Sequence, residues 1–163
     1  METLGSLFAY ELRDIYSAEK QIVKALPIMA RAASNPELEN VLKTHLTETE
    51  KQIERLERIF QILNIPLRLC ESAEMNAIIE EGRELLEKKE NWEPKILDAA
   101  LIAAVQRVDE YESAAYDTLF DFADLMGYDE VVNILEETLD EQKKADEKPG
   151  EIDYQPVKRV KRL

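Results

Sequence analysis

Apolar residues recur at steps of three and four along most of the chain, the period of an α-helix with one buried face. The first stripe is Phe8, Leu12, Ile15, Ile22, Leu26 and Met29, and it predicts a helix over residues 3–33. Pro27 lies inside that stretch. It lacks a backbone N–H, so the helix is expected to kink or break near residues 23–27. "SNPE" at 34–37 reads as a helix start: a capping Ser or Asn, a proline in the first turn, then an acid. The second stripe is Leu38, Val41, His45, Leu56, Ile59 and Leu63, closed by "NIP" at 64–66. A shorter helix over 72–89 carries Met75, Ile78, Ile79, Leu85 and Leu86 and ends before "NWEP" at 91–94. The helix over 95–126 carries Ile102, Val105, Tyr116, Leu119, Ala123 and Met126, with Gly127 as its C-cap candidate. The last, over 129–147, carries Val131, Ile134, Leu135 and Leu139 and stops at "KPG".

The connections set the topology. Very short links join the first two long helices and the last two, so each pair is an antiparallel hairpin. The two hairpins are separated by a long crossover that contains the short helix. It is long enough to travel back along the bundle, which makes the second and third long helices parallel. The expected fold is all-α: a ferritin-like antiparallel four-helix bundle with a long crossover containing a short fifth helix. One domain spans 1–147, followed by a basic tail over 148–163.

Composition agrees with this and removes several function classes. Only four Gly and six Pro punctuate 163 residues. A lone cysteine, Cys70, excludes an intrachain disulfide, argues against a cysteine-based zinc site and fits a reducing, cytoplasmic location. No apolar run approaches a membrane span, and the N-terminus lacks the pattern of a signal peptide. Net charge is −14, although "YQPVKRVKRL" at 154–163 carries four basic groups and no acid. So acidic a body repels nucleic acid and anionic membranes and attracts cations.

Most of the 35 acids belong on the surface, but several fall on the apolar stripes. Glu19 interrupts the series 8, 12, 15, 19, 22, 26. His45, Glu48 and Gln52 fall in the series 38, 41, 45, 48, 52, 56, 59. Asp109 and Glu112 lie in 102, 105, 109, 112, 116, 119, and Glu141 lies in 131, 134, 138, 141, 145. His45 is the sole histidine and precedes Glu48 by three positions, so the pair shares a helix face.

A shift of 93 positions maps Glu19 onto Glu112 and Glu48 onto Glu141. Leu26 falls on Leu119, Ala30 on Ala123, Glu37 on Glu130, Asn40 on Asn133, Leu42 on Leu135 and Leu46 on Leu139. The hairpins therefore read as copies related by a pseudo-twofold axis. One acid on a stripe is ordinary chance. Four symmetry-paired acids are not, and they cannot all stay ionised in an apolar core. A pair of divalent ions resolves the repulsion. A carboxylate set with at most one imidazole favours iron or manganese over zinc or copper. The candidate ligands are Glu19, Glu48, Asp109, Glu112, Glu141 and His45. Tyr16 and Tyr116, one turn from Glu19 and Glu112, are expected to pack or to hydrogen-bond the ligands rather than ligate.

The segments "DIYSAEKQIVKALP" (14–27), "HLTETEKQIERLE" (45–57), "DAALIAAVQRVDEYESAAYDTL" (98–119) and "TLDEQKKAD" (138–146) resemble the YciF/YciE-like family of ferritin-like bacterial proteins. The resemblance runs over residues 4–147. It implies a ferritin-like bundle, a homodimer, and an association with bacterial stress responses, with no established biochemical activity. It also implies a metal site akin to that of rubrerythrins, in which the first two helices each give a Glu, the third two acids at i and i+3, and the fourth a Glu. Glu19, Glu48, Asp109 with Glu112, and Glu141 stand at those places. The usual E-x-x-H pattern would need histidine at 51 and 144, and both are lysine here. "DEYE" at 109–112 carries Glu110 where family members commonly have histidine. Two functions follow as expectations. One is a di-metal carboxylate protein reactive toward dioxygen or peroxide. The other is a non-enzymatic stress-associated binding or structural protein whose metal site is vestigial.

Overall fold

Five helices form the described chain in a computed structural model that describes residues 3–68, 70–88 and 92–146. They are α1 (Leu4–Ala32), α2 (Pro36–Ile62), α3 (Ala73–Glu87), α4 (Pro94–Leu125) and α5 (Asp129–Asp146). The basic tail expected over 148–163 lies outside the described residues.

Local signals set most of the ends. Asn35 caps α2 by accepting a hydrogen bond at 2.8 Å from the Glu37 amide, with Pro36 in the first turn, where its missing N–H costs nothing. Gly127 follows α4 at φ +69°. Its amide donates to the Asp124 carbonyl and the Tyr128 amide to that of Ala123, the paired bonds of a Schellman turn. Asn64, at φ 51°, ends α2 in the same way: its amide bonds the Gln61 carbonyl, and that of Ile65 bonds Phe60. Of the kink or break expected near residues 23–27, a break does not occur: α1 runs on through Pro27. The proline removes one backbone bond, while Leu26 and Ala30 on either side of it are buried and hold the helix on the core.

Helix α1 packs on α2 and α4, and α5 completes the square by packing on α4 and α2. α2 and α4 thus face each other across the bundle. The cross-links show neighbours running antiparallel. Tyr16 of α1 bonds Glu57 near the end of α2, while Ser34, just past α1, bonds Asp98 near the start of α4. The crossover helix α3 lies on α1 and α4. The core is apolar, with Phe8, Leu12, Leu42, Leu56, Ile59, Leu119 and Leu135 at its centre.

Candidate metal centre

The α1 stripe from Phe8 to Leu26 is buried, including Glu19, which has no exposed surface, while Met29 is half-buried. On α4 Glu112 is buried and Asp109 sits at the stripe's edge. On α2 the buried line is Leu38, Leu42, Thr49, Gln52, Ile53, Leu56 and Ile59. That is slightly rotated from the expected stripe, so Val41 and Glu48 are only half-buried.

Three of the candidate ligands meet across the bundle. His45 of α2 places Nε2 3.4 Å from Glu112 Oε2 and 3.6 Å from Asp109 Oδ1. One ligand atom from each of the three lies within 4.8 Å of the other two. The His45 side chain is 11 % exposed and that of Glu112 3 %. Glu19 approaches from α1. Its Oε1 accepts a 2.7 Å hydrogen bond from the buried Tyr116 hydroxyl. Its other oxygen, Oε2, is buried with no hydrogen-bond partner, and so is Glu112 Oε1.

The electrostatics follow from burial. Loss of hydration pushes Glu112 up to about 8, and the charges of Asp109 and Glu48 add to the shift. Glu19 is held well above the usual carboxylate range, first by burial and then by the Glu112 charge, against a smaller opposing effect of Tyr116 and His45. Burial also lifts the Tyr116 hydroxyl well above its ordinary value, and the Glu19 charge adds to this. Both carboxyls are therefore shifted toward their protonated forms unless a cation takes the place of the protons.

Glu141 is elsewhere. Both of its oxygens accept from the Arg55 guanidinium, at 2.7 Å from Nη1 and 2.7 Å from Nη2. Arg55 also reaches Glu137 at 3.2 Å and Thr138 at 3.4 Å. The Arg55 pair lowers Glu141 below the ordinary carboxylate value. The structure thus brings together His45, Asp109 and Glu112, sets Glu19 and Glu48 within electrostatic reach of them, and binds Glu141 to a cation of the protein. Sequence reasoning missed Arg55. A faint signal was present: a basic residue three positions after the stripe residue Gln52, on a helix facing an acidic partner. Tyr116 takes the hydrogen-bonding role expected of it, but on Glu19 of the other hairpin. The Tyr16 hydroxyl donates instead to Glu57, at 2.9 Å. Gln52 Oε1 and both side-chain polar atoms of Gln142 are further buried groups without partners.

Whether these residues suit a metal ion can be judged from the donors themselves. An imidazole nitrogen, a buried glutamate and a partly buried aspartate converge, and one oxygen each of Glu112 and Glu19 is buried without a donor. Leaving such acceptors unpaired is costly, and a divalent ion satisfies them. The donor set fits.

The bundle with its long crossover and carboxylate-rich centre defines a ferritin-like helical protein. The chain belongs to the family described as a domain of unknown function, DUF892, whose model matches residues 3–156. It is 42 % identical over 147 residues to Protein YciF of Escherichia coli K12, covering 90 % of this chain and 87 % of that protein. It superposes on the crystal structure of the E. coli stress protein YciF with a TM-score of 0.89 at 38 % identity, over 98 % of this chain and 99 % of that one. The YcfI structure from Rhodopseudomonas palustris is similar, with a TM-score of 0.87 at 39 % identity over 93 % and 96 % of the two chains. The expected family and fold are thereby borne out. Among the described residues no helix is long and apolar enough to cross a membrane.

Proposed function

We propose that this chain is a stress-associated metal-binding protein whose bundle centre takes a divalent iron or manganese ion on His45, Asp109 and Glu112, with Glu19 and Glu48 as supporting carboxylates. The observation that carries the reading is the convergence of those three donors on one point while buried oxygens of Glu112 and Glu19 lack any donor. When bound, an ion of this kind supplies Lewis acidity and redox capacity toward dioxygen or peroxide. The chain's own residues do the rest. Tyr116 fixes the Glu19 carboxyl, and Glu19 and Glu112 release their protons as an ion enters. One tightly held ion is expected rather than the two of a symmetric site, because Arg55 already neutralises Glu141. The test is manganese and iron titration of chelator-treated protein, with anomalous diffraction to locate the ion. About one equivalent per chain, at His45, supports the reading, and no bound ion overturns it.

A second reading has one observation in its favour. The Arg55–Glu141 pair, with Lys51 and Lys144 where the related sites carry histidine, suits a metal-free, homodimeric stress protein acting through partner contacts. It predicts protein without metal after growth in iron- and manganese-rich medium.

A further inference from the structure

A cavity of about 270 Å³ lies between α1, α3 and α4, formed where the crossover helix lies on the bundle. Leu26 and Met29, Ile79 and Leu86, and Val105 and Val108 are among its walls, and His45 reaches it from α2. It is open to solvent on one side, and its lining differs from the rest of the molecule. In a chain with 35 acids no carboxylate among the described residues borders it, yet two cations do, Lys24 and Arg83. Both are exposed, which puts them on its solvent side. Arg83 is held by Glu80 and Glu87, whereas Lys24 makes no ion pair among the described residues.

Gly82 is a second, independent sign. It lies in the interior of α3, where glycine costs about 1 kcal/mol relative to alanine. No backbone demand explains it, since its φ is negative like that of its neighbours. A Cβ built there meets nothing within 4 Å, and the residue borders the cavity. The missing side chain leaves space in the cavity wall.

We propose that this cavity binds a small amphiphilic anion, a medium-chain carboxylate in chemical class, with its carboxylate on Lys24 and its tail against the His45 ring. Apolar walls with one free cation at the entrance match such a molecule and no cationic one. The binding rests on the cavity alone and holds whether or not His45 carries a metal.

The probe is octanoate, added to chelator-treated protein and followed by calorimetry and by proton NMR. Because His45 is the only histidine, its imidazole resonances report contact at that wall without ambiguity. Octanoate is expected to bind with a Kd on the order of 10–100 μM and to shift those resonances. Octanol should bind about tenfold more weakly and octylamine more weakly still, because each lacks a charge complementary to Lys24. Gly82→Leu should abolish binding. Lys24→Glu, a surface change that leaves the core intact, should weaken octanoate about tenfold or more. Absence of octanoate binding, unchanged binding to Gly82→Leu, an octylamine affinity equal to that of octanoate, or unmoved histidine resonances would each overturn the proposal. A parallel manganese titration reads the metal proposal separately.

Discussion

Glu141→Gln separates the symmetric site suggested by the repeat from the arrangement seen in the structure. If Glu141 is a metal ligand, losing its charge removes metal. If it is the counter-ion of Arg55, losing its charge weakens a bond between α2 and α5 and leaves metal affinity alone. The size of the second effect can be bounded. The pair is bidentate at 2.7 Å on both arms, with side chains 16 % and 30 % exposed. Exposed pairs contribute about 0–1 kcal/mol, and hydrogen bonds to charged groups about 1.5–3. Solvent at Glu141 screens the interaction, and Arg55 keeps Glu137 at 3.2 Å as a second partner. Glutamine also retains an acceptor. The expected loss is about 1–2 kcal/mol, or a few degrees in Tm for a chain of this length. Urea unfolding of the metal-free protein measures it. A double-mutant cycle with Arg55→Gln isolates the pair, with a coupling energy of similar size expected. Manganese titration of Glu141→Gln should match the parent. Unchanged stability together with lost metal affinity would refute this reasoning and return Glu141 to the ligand set.

Glu112→Gln should weaken manganese binding by about 100-fold or more, since it removes a charged donor at the centre of the group; titration of the folded variant checks it. The same variant should lose little stability at pH 6 when metal-free, because the amide resembles the acid that is protonated there. His45→Asn should reduce metal affinity about 10–100-fold, whereas lowered stability with unchanged affinity would assign His45 to packing. Asp98 accepts from the Ser34 amide at 2.7 Å and its hydroxyl at 2.5 Å, tying the α1–α2 turn to α4. Asp98→Ala should cost about 2 kcal/mol in urea unfolding without changing metal affinity. The metal-free protein should also grow less stable as pH rises. Glu112 sits at about 8 when folded, above its ordinary 4.5, so between these values the folded state holds the extra proton. Its contribution is complete below pH 4.5 and is lost as pH rises through about 8, at up to about 1.4 kcal/mol per pH unit. Melting curves of chelated protein across that window, set against manganese-loaded protein, test the sign.

How far the sequence reached differs between fold and site, for physical reasons. Helices and their ends were legible because they depend on neighbours in the chain: Asn35 before Pro36 and Gly127 after α4 act within a turn of themselves. Of the kink or break expected at Pro27, the break does not occur, because the proline's cost is local while the burial that outweighs it is tertiary. On α2, steps of three and four let Leu38 lead equally well to Val41, His45 and Glu48 or to Leu42 and Thr49. Only the placement of α1 and α5 decides which edge is buried. The pairing of Arg55 with Glu141 was out of reach, since the basic residue near the stripe does not show which of the acids 86 positions away it will meet.

The repeat explains both the success at the centre and the departure from symmetry. Its shift of 93 positions brought out Glu19 and Glu112, and these are the two carboxylates that the fold buries together on neighbouring helices α1 and α4. A twofold copy carries its symmetry only while matched positions meet matched surroundings. Glu48 faces Glu112 across the bundle, while its counterpart Glu141 faces Arg55. The counterpart of His45 is Thr138, which is buried and accepts from that same arginine. One half of the pseudo-symmetric pattern therefore holds a convergent donor group of the kind that can take a metal ion. The other half carries its cation in the chain. Arg55 offsets the charge of the partly buried Glu141 from within the chain, and His45, Asp109 and Glu112 form the one described group whose donor atoms are arranged to receive an ion.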